Sequence, residues 1–277
     1  MEGAFGMGSN HFQPKLNKKR LLSHADSTVY SVNGLAVRNA AQPDEEFGNF
    51  ATRDEFPNLI PSGEIWISEK LASREGVFFI ANALTRAKYQ AEGATEKAYD
   101  AGIEVDRILR EKLNGVKFRD GKPHKKVPSA IYLEQYIVLP DHKGPVTVWV
   151  ADGNLIRSYY KTDYTEGGHG YVYRWVPRSE IWVEGVDRRE LPFIISHEYL
   201  ERRLMRDEGI DYDTAHDICS RVEFDLRKAR RATPLLTSGQ RKIQKKDLVR
   251  LTRDEVFQYV RETYLKQSAT HGTCYRR

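Results

Sequence analysis

The feature that most constrains the fold is an internal duplication. Residues 29–38 match residues 148–157, each copy running from a β-rich stretch through Asn33-Gly34 or Asp152-Gly153 to an arginine, Arg38 or Arg157. After a variable loop, residues 61–67 match 177–183 around a shared Glu-Ile-Trp. With single-residue gaps, Arg74, Glu75, Phe78 and Ile80 fall on Arg189, Glu190, Phe193 and Ile195. Further on, Glu92-Gly93 meets Glu208-Gly209, residues 98–100 meet 215–217, and Leu109-Arg110 meets Leu226-Arg227. Matches in one order with short gaps mark two copies of one folding unit.

Each copy is expected to open with a β-hairpin, because Asn-Gly and Asp-Gly accept the positive φ angles of a two-residue turn. Residues 171–175 and 180–183 are aromatic and β-branched strand candidates. The first helix of the second copy should begin between 187 and 192, where Pro192 is tolerated, and end before Gly209. Asp213 is the expected N-cap of a second helix reaching about residue 231. The fold class is therefore α+β: a tandem duplication, each copy a small antiparallel sheet or hairpin followed by a two-helix hairpin, with basic N- and C-terminal extensions. The divisions are an arm at 1–27, a degenerate first repeat at 28–115, a Lys- and Gly-bearing linker at 116–128, a second repeat at 129–231 and a basic extension at 232–277. That extension should carry a helix starting at Thr252, with Glu255 completing a capping box and Val256, Val260 and Tyr264 spaced to dock on a partner.

At 277 residues each half can bury a core of its own. No apolar run approaches the roughly 20 residues of a membrane span, and the start lacks the pattern of a signal peptide. The two cysteines, Cys219 and Cys274, exclude a disulfide framework and a multi-cysteine zinc cluster. The expected setting is a host-cell cytoplasm or a virion, with no membrane contact. Cys219 reads as a small apolar packing residue and Cys274 as a tail thiol.

The formal charge of +5 is unevenly placed. Residues 227–250 hold nine basic side chains, among them Arg230, Arg231, Arg241, Lys242, Lys245 and Lys246, against one acid, Asp247, a net +8. Lys15, Lys18, Lys19 and Arg20 repeat the bias near the start. Such flanks suit nucleic acid or an acidic subunit surface, or simply keep a solvated linker soluble.

The chemistry concentrates in the second copy. His197 and Glu201 are four apart on one helix face and can clasp one ion, with Glu198 beside them. His216, Cys219 and Glu223 share a face of the next helix. At ~1.5 Å per residue, His216 and Glu223 stand about 10 Å apart along the axis. The expected ligands are thus His197, Glu201 and one of His216 or Glu223, the other supporting the shell. The ion would be zinc or another divalent transition metal. The first copy carries Asn82, Ala83, Arg86, Tyr99 and Asp106 at the positions of His197, Glu198, Glu201, His216 and Glu223, so the fold stands without this constellation. His169, in Gly167-Gly168-His169-Gly170, reads either as a further ligand on a flexible lip or as part of a glycine-rich turn. Tyr159, Tyr160, Tyr171 and Tyr173 read as a stacking face for single-stranded nucleic acid or as strand packing. The plainest alternative to a metal site is a polar cluster in which Arg202 and Arg203 pair with His197 and Glu201.

The His197-Glu198-x-x-Glu201 helix resembles the H-E-x-x-H helix of zincin metallopeptidases, with Glu201 replacing the second histidine. Residues 171–231 also resemble a phage and bacterial protein family with a Pro-x-x-Glu-Ile-Trp strand, a Pro-Phe-Ile-x-x-His-Glu-x-x-Glu-Arg helix and an Ala-His helix. The resemblance implies a zincin-like metal site in a phage context. Two functions follow as expectations. One is a zinc-dependent, peptidase-like hydrolase with Glu198 as general base. The alternative is a non-enzymatic structural component of a phage particle, associated with its head or connector, whose basic arms contact subunits or nucleic acid.

Overall fold

The computed structural model describes residues 16–42, 45, 47–118, 128–232 and 254–265. The first repeat comprises β1 (Lys19–His24), β2 (Ser27–Val32), α1 (Gly34–Ala40), β3 (Phe50–Thr52), β4 (Glu64–Ser68), α2 (Glu69–Ala91) and α3 (Thr95–Asn114). The second repeats the order with β5 (Tyr132–Leu139), β6 (Val146–Ala151), α4 (Gly153–Tyr159), β7 (Gly167–His169), β8 (Glu180–Glu184), α5 (Leu191–Arg203) and α6 (Tyr212–Ala232). The sheets have matching orders, β1-β2-β4-β3 and β5-β6-β8-β7. The chain is thus an α+β tandem repeat, and β1 of the first sheet comes from the segment read as an N-terminal arm.

The sheets are mixed rather than antiparallel. Their central pairs, β2–β4 and β6–β8, are parallel and share one register: Val29 faces Ile65 as Val148 faces Ile181. The expected hairpin at Asn33-Gly34 and Asp152-Gly153 does not form. These residues open helices instead: Asn33 accepts from the Ala36 amide at 3.0 Å and Asp152 from the Leu155 amide at 3.1 Å. Asn and Asp suit an N-cap as well as a turn, and here the cap prevails. The resulting helix carries the chain across to a parallel strand. The Glu-Ile-Trp motif also has a local cause, since Glu and Trp two apart share a strand face. The buried indole N–H of Trp66 donates to Glu64 and that of Trp182 to Glu180, both at 2.7 Å.

Residues 171–175 are turns, not a strand, and the edge strand is β7 just before them. Buried Trp175 stacks on Tyr160 and on half-buried Tyr173 at 4.9 and 4.7 Å, with Tyr159 packed against the same cluster, so these three tyrosines pack inward and are not an open stacking face; half-buried Tyr171 lies apart, against Arg178. After α5 a π turn, Leu204–Glu208, leads to Gly209 at φ +68°, and Asp211, not Asp213, caps α6 by accepting from the Thr214 amide at 3.0 Å. A last helix, α7 (Asp254–Val260), docks within the chain: Phe257 and Val260 pack with Leu204, Ala215, Ile218 and Cys219. Arg230 and Arg231 belong to the last turns of α6, whereas Arg241, Lys242, Lys245, Lys246 and Cys274 lie outside the described residues. Among the described residues no helix is long and apolar enough to cross a membrane.

The repeats meet in the manner of an isologous pair, several of the contacts having a mirror. Helix α4 packs on α3 as α1 packs on α6. Arg157 reaches Glu75 as its counterpart Arg38 approaches Glu190. Gly48 and Thr165, equivalent by strand register, lie against each other. At the centre Glu75, 1% exposed, accepts from Arg110 at 2.7 Å and from two nitrogens of Arg157 at 2.5 and 2.8 Å. This packing sets α1 of the first repeat opposite α5 and α6 of the second.

Candidate metal centre

Helices α5 and α6 are joined by the π turn and Gly209, which brings their polar stripes face to face. His197 lies between two partners on α6. Its Nδ1 is 3.1 Å from Glu223 Oε2, and its Nε2 is 3.1 Å from His216 Nδ1. The two α6 residues stand two turns apart, yet both reach His197 because the imidazole presents one nitrogen to each. Glu201 completes the group. Its Oε2 is 2.8 Å from His216 Nδ1 and 3.4 Å from His197 Nε2. His197, Glu201 and His216 thus place three donor atoms where they could hold a metal ion. Their separations of 2.8, 3.1 and 3.4 Å bracket the roughly 3.3 Å expected between ligands of a tetrahedral ion with bonds of about 2.0–2.1 Å.

The side chains of the centre are mostly buried and shift one another's protonation. Burial opposes charge on His197, but Glu201 and Glu223 overcome it and hold the ring well above the ordinary histidine value. Burial would raise Glu201, yet hydrogen bonds from His169, His197 and His216 keep it well below the carboxylate range. Glu223 is likewise drawn down to about 2, burial being outweighed by His197 and Arg227. Glu198 behaves in the opposite way: burial, reinforced by the Glu201 charge, raises it to about 8. It faces β7 at close range, since a Cβ on Gly167 would lie 2.5 Å from Glu198 Oε1.

The centre lies in a cleft of about 180 Å³ shared by both repeats. Arg38, Gln42, Glu45 and Phe47 of the first repeat face Glu198, Glu201, His216 and Glu223 of the second across it. Arg38 pairs with Glu166 and donates to the Phe47 and Gly48 carbonyls at 2.8 and 2.9 Å. Arg227 joins Glu190 at 2.8 Å to Glu223 at 2.7 Å. Sequence reasoning gave this wall no role, although a signal was present. Arg38/Arg157, Glu75/Glu190 and Arg110/Arg227 are charged residues identical in both copies, and all but the half-buried Arg38 are buried in ion pairs here.

The expected pairing of Arg202 and Arg203 with His197 and Glu201 is not what forms. Arg202 binds Asp141 at 2.8 Å, and Arg203 binds Asp254 at 2.7 Å. His169 is no flexible lip: it ends β7, fully buried, with Nε2 3.0 Å from Glu201 Oε1. Cys219 is buried beside the centre, and burial pushes its thiol well up. The first repeat keeps the geometry with other chemistry. Asn82 donates to Asp106 at 3.5 Å where His197 meets Glu223, and the Arg86 guanidinium lies 4.5 Å from the centre of the Tyr99 ring where Glu201 meets His216.

Comparison with protein families, with curated proteins and with solved structures found no match. The family resemblances expected from the sequence therefore find no support there, and the His197–Glu201–His216 group stands on its own geometry.

Proposed function

We propose that the chain is a zincin-like metal-binding protein acting as a metal-dependent hydrolase on peptide-type carbonyl bonds. The ligands are His197 Nε2, Glu201 Oε2 and His216 Nδ1, and the ion is zinc or another divalent transition metal. The observation that carries the proposal is the convergence of these three atoms, 2.8–3.4 Å apart, in a cleft. Glu223 has the supporting role, receiving the Nδ1 proton of His197 and so leaving Nε2 to the ion. When bound, the metal supplies Lewis acidity toward a carbonyl oxygen. Glu198 supplies the proton chemistry. Lining the cleft and next in sequence to His197, it is placed to take a proton from an attacking water and return it to the leaving group.

Elemental analysis of the untagged protein tests the metal, beside the His197→Ala/Glu201→Ala double variant. Near-stoichiometric zinc in the first and none in the second supports the site. No metal in either, with unchanged folding, overturns it. Glu198→Gln separates binding from catalysis: metal is retained and turnover on a peptide substrate falls by about 10²–10⁴-fold. A structural role in a phage particle is the second proposal, resting on the charge of residues 227–250. The docking of α7 on its own repeat removes one of its supports.

A further inference from the structure

We infer that His169 is a positioning residue for Glu201 and that the centre holds one ion per chain, an inference that rests on the metal reading above. The competing possibility is visible in the fold. His169, Glu198 and Glu201 also bring one donor atom each within 4.8 Å, so Glu201 could bridge two ions, one on either side.

Hydrogen-bond polarity decides between them. The backbone N–H of Tyr171 donates to His169 Nδ1 at 3.2 Å. A neutral imidazole that accepts at Nδ1 carries its proton on Nε2, so the nitrogen facing Glu201 has a hydrogen to give and no lone pair. Metal-ligating histidines have the reverse arrangement, donating through the nitrogen that faces away from the ion. His197, with Nδ1 against Glu223, is of that kind; His169 is not. To ligate through Nε2, His169 would have to give up the Tyr171 amide or become an imidazolate. Glu198 and Glu201 are then left without a third ligand, and the second group is not a metal site.

What His169 can do is hold one oxygen of Glu201. Its Nε2 lies 3.0 Å from Oε1, while Oε2 faces His216 at 2.8 Å and His197 at 3.4 Å. In this geometry the approach is a close contact and not a formed hydrogen bond, Nε2 having no hydrogen-bond partner among the described residues, and the ring has no exposed surface. With Oε1 held, the carboxylate presents a single oxygen to the ion. The first repeat is the internal control. Thr52 stands at the His169 position and Arg86 at the Glu201 position, and the Thr52 hydroxyl bonds Glu55 instead. Where there is no carboxylate to hold, there is no histidine.

The test is a cobalt(II) titration of the full-length, metal-stripped protein, read by visible absorption and by stoichiometry, for wild type, His169→Ala and His169→Gln. Wild type is expected to bind one cobalt per chain. In His169→Ala the affinity falls by about 10–100-fold with an altered absorption envelope, because Glu201 is free to rotate. His169→Gln, whose side-chain amide can still donate, recovers most of the affinity. Two cobalt ions in wild type falling to one in either variant would overturn the inference in favour of a bridged pair. Unchanged affinity and spectrum in a folded His169→Ala would equally overturn it. Should the alanine variant fail to fold, the wild-type stoichiometry and the glutamine variant still decide. No cobalt bound by wild type refutes the metal reading itself, before any variant is compared.

Discussion

Replacing Glu75 by glutamine should cost the protein several degrees of thermal stability, and the structure says how many. Glu75 is 1% exposed and sits between Arg110 and Arg157, which are 1% and 0% exposed. Removing its charge leaves two buried guanidinium groups short of a carboxylate. Breaking a buried ion pair from one side costs about 3–5 kcal/mol. The lower end applies, because Arg157 keeps Glu184 at 2.7 Å and Arg110 keeps Asp106 at 2.6 Å. Unfolding entropy of about 2 cal/mol/K per residue amounts to ~0.6 kcal/mol/K for a chain of this length, so about 3 kcal/mol lowers Tm by ~5 °C. Breaking the exposed Lys88–Glu92 pair with Glu92→Gln serves as the control and should change stability by less than about 0.5 kcal/mol. The pH dependence has a definite sign. Burial would raise Glu75, but Arg157 and then Arg110 overcome it and hold its pKa below the usual value. A folded-state pKa below the unfolded one contributes stability that is present above the unfolded value and lost as pH falls through the folded one. Calorimetry at neutral pH should therefore show the full gap between wild type and Glu75→Gln, and the gap should close in acid. A difference below ~1 °C at neutral pH, or one that persists unchanged into acid, would refute the claim that this charge locks the repeats together.

Three further outcomes are expected. Glu223→Gln should weaken zinc binding by about 10–100-fold in chelator competition, because the Nδ1 proton of His197 loses its acceptor charge; unchanged affinity would remove Glu223 from the shell. Gly167→Ala places a methyl group 2.5 Å from Glu198 Oε1 and 2.8 Å from its Cγ, so turnover should fall while metal content holds; full activity would mean that Glu198 works from elsewhere. Phe257→Ala, at a site 6% exposed with Arg203 stacked 3.9 Å over the ring, should cost about 3 kcal/mol in denaturant unfolding. A loss below ~1 kcal/mol would show that α7 is not part of the second repeat's core.

How much of this was legible beforehand depends on whether the cause is local. The duplication is a property of residue order, and both repeats fold alike. The helical hairpins followed from their stops and caps, notably the Glu-Gly breaks at Gly93 and Gly209, both in the left-handed region at φ +77° and +68°. His197, Glu198 and Glu201 could be grouped because one helix carries them. The Asn-Gly and Asp-Gly dipeptides misled because the same side chain serves a turn and a cap. Helices α1 and α4, of seven residues each, are too short to display a helical period.

What residue order determined, then, was the repeat, the long helices and the grouping of His197 with Glu201 on one face of α5, since each follows from chemistry within a few residues. Tertiary structure decided the rest. Parallel pairing of β2 with β4 depends on where α1 carries the chain, not on either strand. The separate places of His216 and Glu223 depend on which way the His197 ring lies between two helices. The tautomer of His169 is set by the Tyr171 amide, and its contact with Glu201 by packing that spans 32 residues of chain. The first repeat becomes a wall of the cleft only because buried charges bring Arg157 to Glu75 across 82 residues, a match that no local pattern encodes.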